Sequence, residues 1–171
     1  MNGWKPSSVF NLEIGGMTAQ AMEKALDREI CICISSDGRS MLKNKKQFIH
    51  PVNKRHREAE ILALVRLRVR DLGFTKNPTT KKLLARAKAL GLDLCPPEVG
   101  PYLRLADKDQ PPGWYYIGME PVAVTVGHPN VFSLGRDGDE LWLNGDWAHT
   151  SRQWSRDHQF VFSARKVENF H

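Results

Sequence analysis

The chain has 171 residues, enough for one domain with a single hydrophobic core and short for two. Its 41% hydrophobic and 26% charged residues exclude a largely disordered chain. No long apolar stretch or signal-peptide pattern occurs in it, so we expect neither export nor a membrane span. The net charge of +6 points to an acidic partner. We therefore expect one domain, 1–171, with no membrane partner.

The first elements predicted are a helix and a short strand. Thr18 is a suitable N-cap, and apolar residues recur every three or four positions as far as about Glu29. Residues 30–34 alternate like a strand, although Ser35 or Ser36 is also suited to begin a second helix. Both interpretations of this stretch remain open.

Residues 61–69 are compatible with a helix or a strand, and strict alternation at the end of the segment favours the strand. This choice places three apolar residues in the core, namely Val65, Leu67 and Val69. Three arginines then share the opposite face, namely Arg66, Arg68 and Arg70. The strand would therefore display a row of positive charge.

Another helix is predicted from Thr79 or Thr80 to Leu90. Either threonine can cap its start, and Gly91 can adopt the left-handed conformation that ends a helix. Its leucines form a buried stripe. Its cations face largely toward water, namely Lys81, Lys82, Arg86 and Lys88.

The sequence changes character in the β-rich part, 114–165, where short aromatic and β-branched runs alternate with turn residues. The predicted strands are 114–119, 122–126, 131–134, 140–143 and 159–163. Residues 136–139 have the composition of a hairpin loop. The fold class predicted is α+β, with N-terminal helices packed on a mostly antiparallel C-terminal β-sheet.

Positive charge is concentrated in one segment. Residues 43–88 hold 14 Lys and Arg against 3 acids, a local charge of +11, whereas the remaining residues sum to −5. Clustered cations gain affinity for phosphates by releasing condensed counterions, so nucleic acid is the first partner expected and an acidic protein the second. The alternative is a solvated face whose cations are matched by acids elsewhere in the fold.

The candidate nucleic-acid-binding residues fall in two groups. Arg66, Arg68 and Arg70 would track a phosphate backbone from the strand. Six further cations would reach it from a basic loop, namely Lys43, Lys45, Lys46, Lys54, Arg55 and Arg57. Only two aromatic residues lie within the basic segment, so base stacking there is poorly supported.

The group of residues most like an enzyme site follows the helix that ends at Leu90. Cys95 supplies a thiol in a rigid proline-rich stretch, and Glu98, Arg104 and Glu120 combine two carboxylates with a guanidinium. A small enzyme with these catalytic residues, joined by His149, is the competing hypothesis. The structural alternative is a buried cysteine and an internal salt-bridge cluster.

The thiols and imidazoles predict no metal site. Cys31 and Cys33 are separated by one residue and Cys95 stands alone, which matches neither a disulfide framework nor a zinc motif. The histidines lack metal-ligand spacing, and no glycine-rich loop suits a nucleotide phosphate. We expect a cytoplasmic protein without cofactors.

Three tryptophans interleave with polar residues near the C-terminus, namely Trp142, Trp147 and Trp154. Such a composition suits a partner interface or a ligand-facing sheet edge, although tryptophans on strands more often fill the core. Core packing is the stronger expectation for Trp142 than for the other two.

Several short segments resemble uncharacterised bacterial proteins. These segments are LGF at 72–74, AKALGLDLCPPEVGP at 87–101, LRL at 103–105, DQP at 109–111 and MEP at 119–121. The resemblance implies a bacterial source and one compact module, and it assigns no functional residue. The leading hypothesis is a non-catalytic bacterial accessory protein that binds an acidic partner through 43–88; an oligomeric or protein-interaction module is a further alternative.

Overall fold

A computed structural model describes residues 8–44, 58–124 and 127–164. In these ranges the chain forms four α-helices, a short 3₁₀ helix and nine β-strands. In chain order they are β1 (Ser8–Ile14), α1 (Ala19–Asp27), β2 (Ile32–Ile34), α2 (Ser36–Leu42), β3 (Glu60–Arg68), the 3₁₀ helix (Val69–Leu72), α3 (Thr80–Ala89), β4 (Leu92–Asp93), α4 (Val99–Ala106), β5 (Gly113–Ile117), β6 (Val122–Ala123), β7 (Pro129–Asp137), β8 (Glu140–Trp147) and β9 (Gln159–Ala164).

The strands form one mixed sheet in the order β1-β3-β9-β5-β7-β8-β2, with β4 added beside β9 and β6 beside β7. The β2–β8 and β5–β9 pairs are parallel and the other pairs are antiparallel. The α+β class and the mostly antiparallel sheet are therefore confirmed. The predicted separation of helices from strands holds only in part, because β1 precedes the first helix. No helix in the described ranges has both the length and the hydrophobicity required to cross a bilayer.

Local capping explains where the helices begin. The Thr18 hydroxyl accepts the Ala21 N–H at 3.0 Å, and the Ser35 hydroxyl accepts the Gly38 N–H at 3.0 Å. Both interpretations of the stretch after α1 are realised, because β2 ends just before Ser35 and α2 begins just after it. Helix α3 begins after Thr79, as predicted, and Gly91 follows its end with φ +90°.

Strand β3 is covered on both faces along part of its length. Leu64 and Val65 are both buried although their side chains point in opposite directions. Leu67 and Val69 are also buried, which confirms the predicted apolar face. The strand ends at Arg68 and the 3₁₀ helix follows, so the alternation does not extend to Arg70.

The sheet has helices on both sides. Helix α4 lies on the side that we call the α4 face, where the backbone at Gly100 approaches the Phe132 ring so closely that a Cβ would lie 2.6 Å from it. On the opposite side, the α3 face, the Trp154 ring packs against Tyr116 and donates its indole N–H to Thr80 of α3 at 2.8 Å. These two layers place functional side chains on separate surfaces.

Candidate functional site

Helix α3 presents an acid-free, positively charged surface to solvent. Its sequence, TKKLLARAKA, buries the leucines against the α3 face and contains no carboxylate. Its four cations are exposed, namely Lys81, Lys82, Arg86 and Lys88. Within the described ranges none of the four forms an ion pair, whereas Arg39, Arg68 and Arg70 each do. This charge is therefore available to an external anion.

Two arginines are held beside one turn at the end of this surface. Arg86 donates its Nε–H to the carbonyl of Leu72 at 2.9 Å, and Arg156 donates its Nε–H to the carbonyl of Phe74 at 2.8 Å. Gly73, with φ +91°, lies between the two carbonyls. These bonds fix the guanidinium stems and leave the terminal Nη groups without hydrogen-bond partners in the described part of the chain. We call Lys81, Lys82, Arg86, Lys88 and Arg156 the α3 cationic surface.

The backbone at the start of α3 cannot bind an anion, because its amides are already bonded. Thr80 N–H donates to the carbonyl of Arg152 at 2.9 Å, Lys81 N–H to that of Thr150 at 3.2 Å, and Lys82 N–H to the Thr79 hydroxyl at 3.3 Å. The two lysines stand in the first turn, where the helix dipole disfavours a cation by about 0.3–1 kcal/mol each. Helix stability therefore does not explain their position.

An exposed aromatic pair adjoins this first turn. The Trp147 and His149 rings are stacked with centroids 5.6 Å apart and an interplanar angle of 12°. Trp147 is 47% exposed, unusually open for a tryptophan, and His149 is exposed as well. The next residue, Thr150, is the one whose carbonyl accepts the Lys81 N–H. The exposed pair is therefore linked to the first turn of α3 through the backbone of this loop.

The three arginines predicted to form a row differ in their contacts. Arg66 lies on the α4 face with its guanidinium carbon 5.2 Å from the centroid of the Tyr115 ring. Arg68 is exposed and its Nε lies 3.9 Å from Asp71. Arg70 forms an ion pair with Asp157. Lys43 is exposed at the end of α2. The other predicted loop cations lie outside the described residues, namely Lys45, Lys46, Lys54, Arg55 and Arg57.

The four candidate catalytic residues do not gather around one solvent-accessible point. Cys95 is only 3% exposed, its thiol donates to the carbonyl of Val161 at 3.4 Å, and burial raises the pKa of that thiol. Glu98 and Arg104 are buried at opposite ends of α4, a helical separation of about 9 Å. Glu120 is exposed after β5.

Arg104 instead connects α4 to two strands. One terminal nitrogen donates to Gln110 Oε1 at 2.8 Å and to the carbonyls of Gly135 and Trp142, each at 3.2 Å. The other donates to the carbonyl of Asp107. Burial lowers the pKa of this guanidinium, and the ring of oxygens offsets part of that cost. The residue therefore acts as a structural connector of α4, β7 and β8.

A second group of aromatic and polar residues fills the α3 face. Trp154 is fully buried, so the core interpretation is correct for this tryptophan. The Tyr116 ring stacks on Phe160 with centroids 5.3 Å apart and approaches His158 at 5.2 Å. His158 accepts the Ser155 N–H on Nδ1 at 3.2 Å, and burial, with a smaller effect of Arg152, lowers its pKa. Burial and Arg152 therefore both disfavour the protonated form of this imidazole.

In the described ranges no three or more His, Cys, Asp and Glu side chains are arranged to hold a metal ion. Comparisons of the chain with protein-family models, curated proteins and solved structures gave no match.

Proposed function

We propose that this protein binds nucleic acid through the phosphate backbone, using the α3 cationic surface. The observation that carries the proposal is the solvent side of α3, which displays four cations and no carboxylate. Arg156 adds a fifth cation, fixed beside Arg86 by the carbonyls of one turn. Fixed guanidinium groups lose less conformational entropy when they bind an oxyanion, and they donate in the planar geometry that phosphate accepts.

Binding of this kind would not read base sequence. In helix–turn–helix proteins the N-terminal residues of a recognition helix contact base edges. The corresponding end of α3 is joined to the loop after β8 through the amides of Thr80 and Lys81, which restricts its entry into a groove. Contacts to phosphates position a protein without selecting a sequence. We therefore infer a general affinity, with a Kd on the order of 10⁻⁴ to 10⁻⁶ M at physiological salt.

The role that fits this surface is that of a non-catalytic accessory protein, in line with the cytoplasmic, bacterial setting expected from the sequence. An acidic protein could bind the same cations, so it is the second candidate partner. The two candidates differ in the spacing of their charges and in whether they offer bases for stacking, which makes them separable by competition.

Fluorescence anisotropy with labelled, mixed-sequence oligonucleotides tests the proposal. The protein is titrated into single-stranded and duplex probes over a series of salt concentrations. If the five cations of the surface neutralise phosphates on a duplex, log K should fall with log salt with a slope of roughly −4.5, from about −0.9 per phosphate. No binding at low salt would contradict the proposal. Equal competition by poly-glutamate at matched charge would instead favour the acidic protein.

A further inference from the structure

A groove of about 450 Å³ crosses the α4 face, between β1 and the C-terminal end of α4. Its apolar lining includes Phe10, Leu12, Leu103 and Pro111. Its polar lining includes Arg66, Asp107, Asp109 and Tyr115. The volume lies within the range of small-molecule sites, and apolar walls with a few polar groups are typical of them. None of this lining belongs to the α3 cationic surface.

Arg66 is a half-buried cation in this groove, and no carboxylate of the described residues lies within ion-pair distance of it. Its guanidinium lies over the Tyr115 ring, yet in the described ranges it forms no hydrogen bond or ion pair. Its Nε is buried without a partner. Buried polar atoms in proteins are normally hydrogen-bonded, because losing water without gaining a partner is costly. A guanidinium left in this condition points to an acceptor that the described residues do not supply.

The two carboxylates of the groove do not supply that acceptor. Asp107 accepts the Tyr115 hydroxyl on Oδ2 at 2.8 Å, and neither Asp107 nor Asp109 lies within ion-pair distance of Arg66. Burial, followed by the effect of Asp107, raises the pKa of Tyr115, so its hydroxyl stays protonated and keeps this bond. The Asp107 carboxylate is therefore held by Tyr115, and the cation remains available.

We propose that the groove binds a small organic carboxylate. The ligand's carboxylate pairs with the terminal nitrogens of Arg66, and its apolar body lies against Phe10, Leu12 and Leu103. A planar guanidinium matches a carboxylate through two parallel hydrogen bonds. The neighbouring charges of Asp107 and Asp109 disfavour a doubly charged phosphate relative to a single carboxylate. A singly charged, amphipathic ligand fits both the walls and the charge.

The test compares ligands that differ only in charge. Hexanoate and 3-phenylpropionate are titrated into the intact protein, and binding is followed through the backbone N–H signals in its NMR spectrum. The uncharged analogues hexanamide and 3-phenylpropanamide are titrated in parallel. We expect saturable binding of at least one carboxylate, with shifts at groove residues. The matching amide should bind at least about tenfold more weakly, since a hydrogen bond to a charged group contributes at least that factor. This comparison requires no variant.

Variants then locate the charge. Arg66→Gln should remove the preference for carboxylate over amide, and Arg66→Lys should retain part of it. Arg68→Gln is the matched control, because Arg68 belongs to the same strand and pairs with Asp71 instead of lining the groove. All three should bind nucleic acid as the wild type does, which keeps this test separate from the proposed function. The inference is overturned if neither carboxylate binds, if amides bind as well as carboxylates, or if Arg66→Gln keeps the preference.

Discussion

Tyr115 and Tyr116 are neighbours in β5 and point to opposite sides of the sheet. The Tyr115 hydroxyl donates to Asp107 at 2.8 Å on the α4 face, whereas the Tyr116 ring stacks on Phe160, 5.3 Å away, on the α3 face. The same division holds for the neighbouring strands β3 and β9. Arg66 is paired with Val161 on the α4 face, and the next pair, Leu67 with Phe160, lies on the α3 face. The groove and the α3 cationic surface therefore lie on different sides of the molecule and can be altered independently.

The exposed aromatic pair predicts a preference for single strands. Trp147→Ala should weaken binding of a single-stranded oligonucleotide about 5- to 150-fold, because stacking a base on an aromatic ring contributes about 1–3 kcal/mol. Duplex binding should change less than about twofold, since paired bases offer no free face to the ring. Anisotropy titrations with both probes at one salt concentration measure the effect.

Trp114 provides the matched control for that substitution. It is 42% exposed, so its accessibility is similar to that of Trp147. On β7, Gly135 is opposite Trp114 and Asn130 is opposite Trp147. These two positions are five residues, or about 17 Å, apart along the strand. Trp114→Ala should therefore leave single-strand affinity unchanged. Equal losses from both substitutions, or none from Trp147→Ala, would mean that bases do not stack at Trp147.

Loss of Arg104 should destabilise the fold strongly. Arg104→Ala removes a buried guanidinium and leaves the carbonyls of Gly135 and Trp142 without this donor, so we expect a loss of about 3–5 kcal/mol in the free energy of unfolding. Arg104→Lys should recover only part of it, because an ammonium cannot reach the same ring of acceptors. Urea denaturation measures both variants. Arg28→Ala, at an exposed position, should stay within about 0.5 kcal/mol of wild type, and a similarly small change for Arg104→Ala would refute the connector role.

His158 predicts how stability depends on pH. Its pKa is lowered in the folded state by burial and then by Arg152. As pH falls, His158 is therefore protonated in the unfolded chain, near its ordinary pKa of about 6.5, before it is protonated in the folded protein. The free energy of unfolding should therefore decrease as pH falls from about 7 through the lowered pKa. Protonation would also remove the acceptor for the Ser155 N–H.

Urea denaturation at a series of pH values, with wild type and His158→Gln, measures this contribution. The variant should show a shallower decrease in stability between about pH 7 and pH 5, a range above the ordinary titration of carboxylates. An identical pH dependence in the two proteins would show that His158 is not the group responsible.

The features predicted correctly from sequence depend on local chemistry. Helix starts at Thr18 and Thr79 follow from a side chain that caps its own neighbouring amides. The hairpin between β7 and β8 likewise follows from its turn residues, with Gly138 at φ +60°. Such features need no knowledge of the rest of the fold, which is why one sequence is sufficient for them.

The features that were missed depend on distant parts of the chain. Strand β1 alternates Phe10, Leu12 and Ile14, a usable signal, but its partner β3 is some fifty residues away in the chain. Arg104 belongs to a residue type that is seldom buried, and only the apolar residues on either side of it hinted at its burial. The exposure of Arg66 depends on where β1 and α4 end, which alternation within β3 does not reveal.

The most direct test of the account compares two double variants of equal charge. Lys81→Gln with Lys82→Gln alters the α3 cationic surface, and Lys24→Gln with Arg28→Gln removes two exposed cations at the C-terminal end of α1. Glutamine has nearly the same helix propensity as the residues it replaces, so both proteins should fold. Salt-dependent anisotropy with duplex DNA measures the slope of log K against log salt. This slope should become shallower by roughly two units for the α3 pair, because each phosphate that is no longer neutralised reduces it by about 0.9. It should be unchanged for the α1 pair. Equal changes in the two variants, or no change in either, would contradict binding through α3.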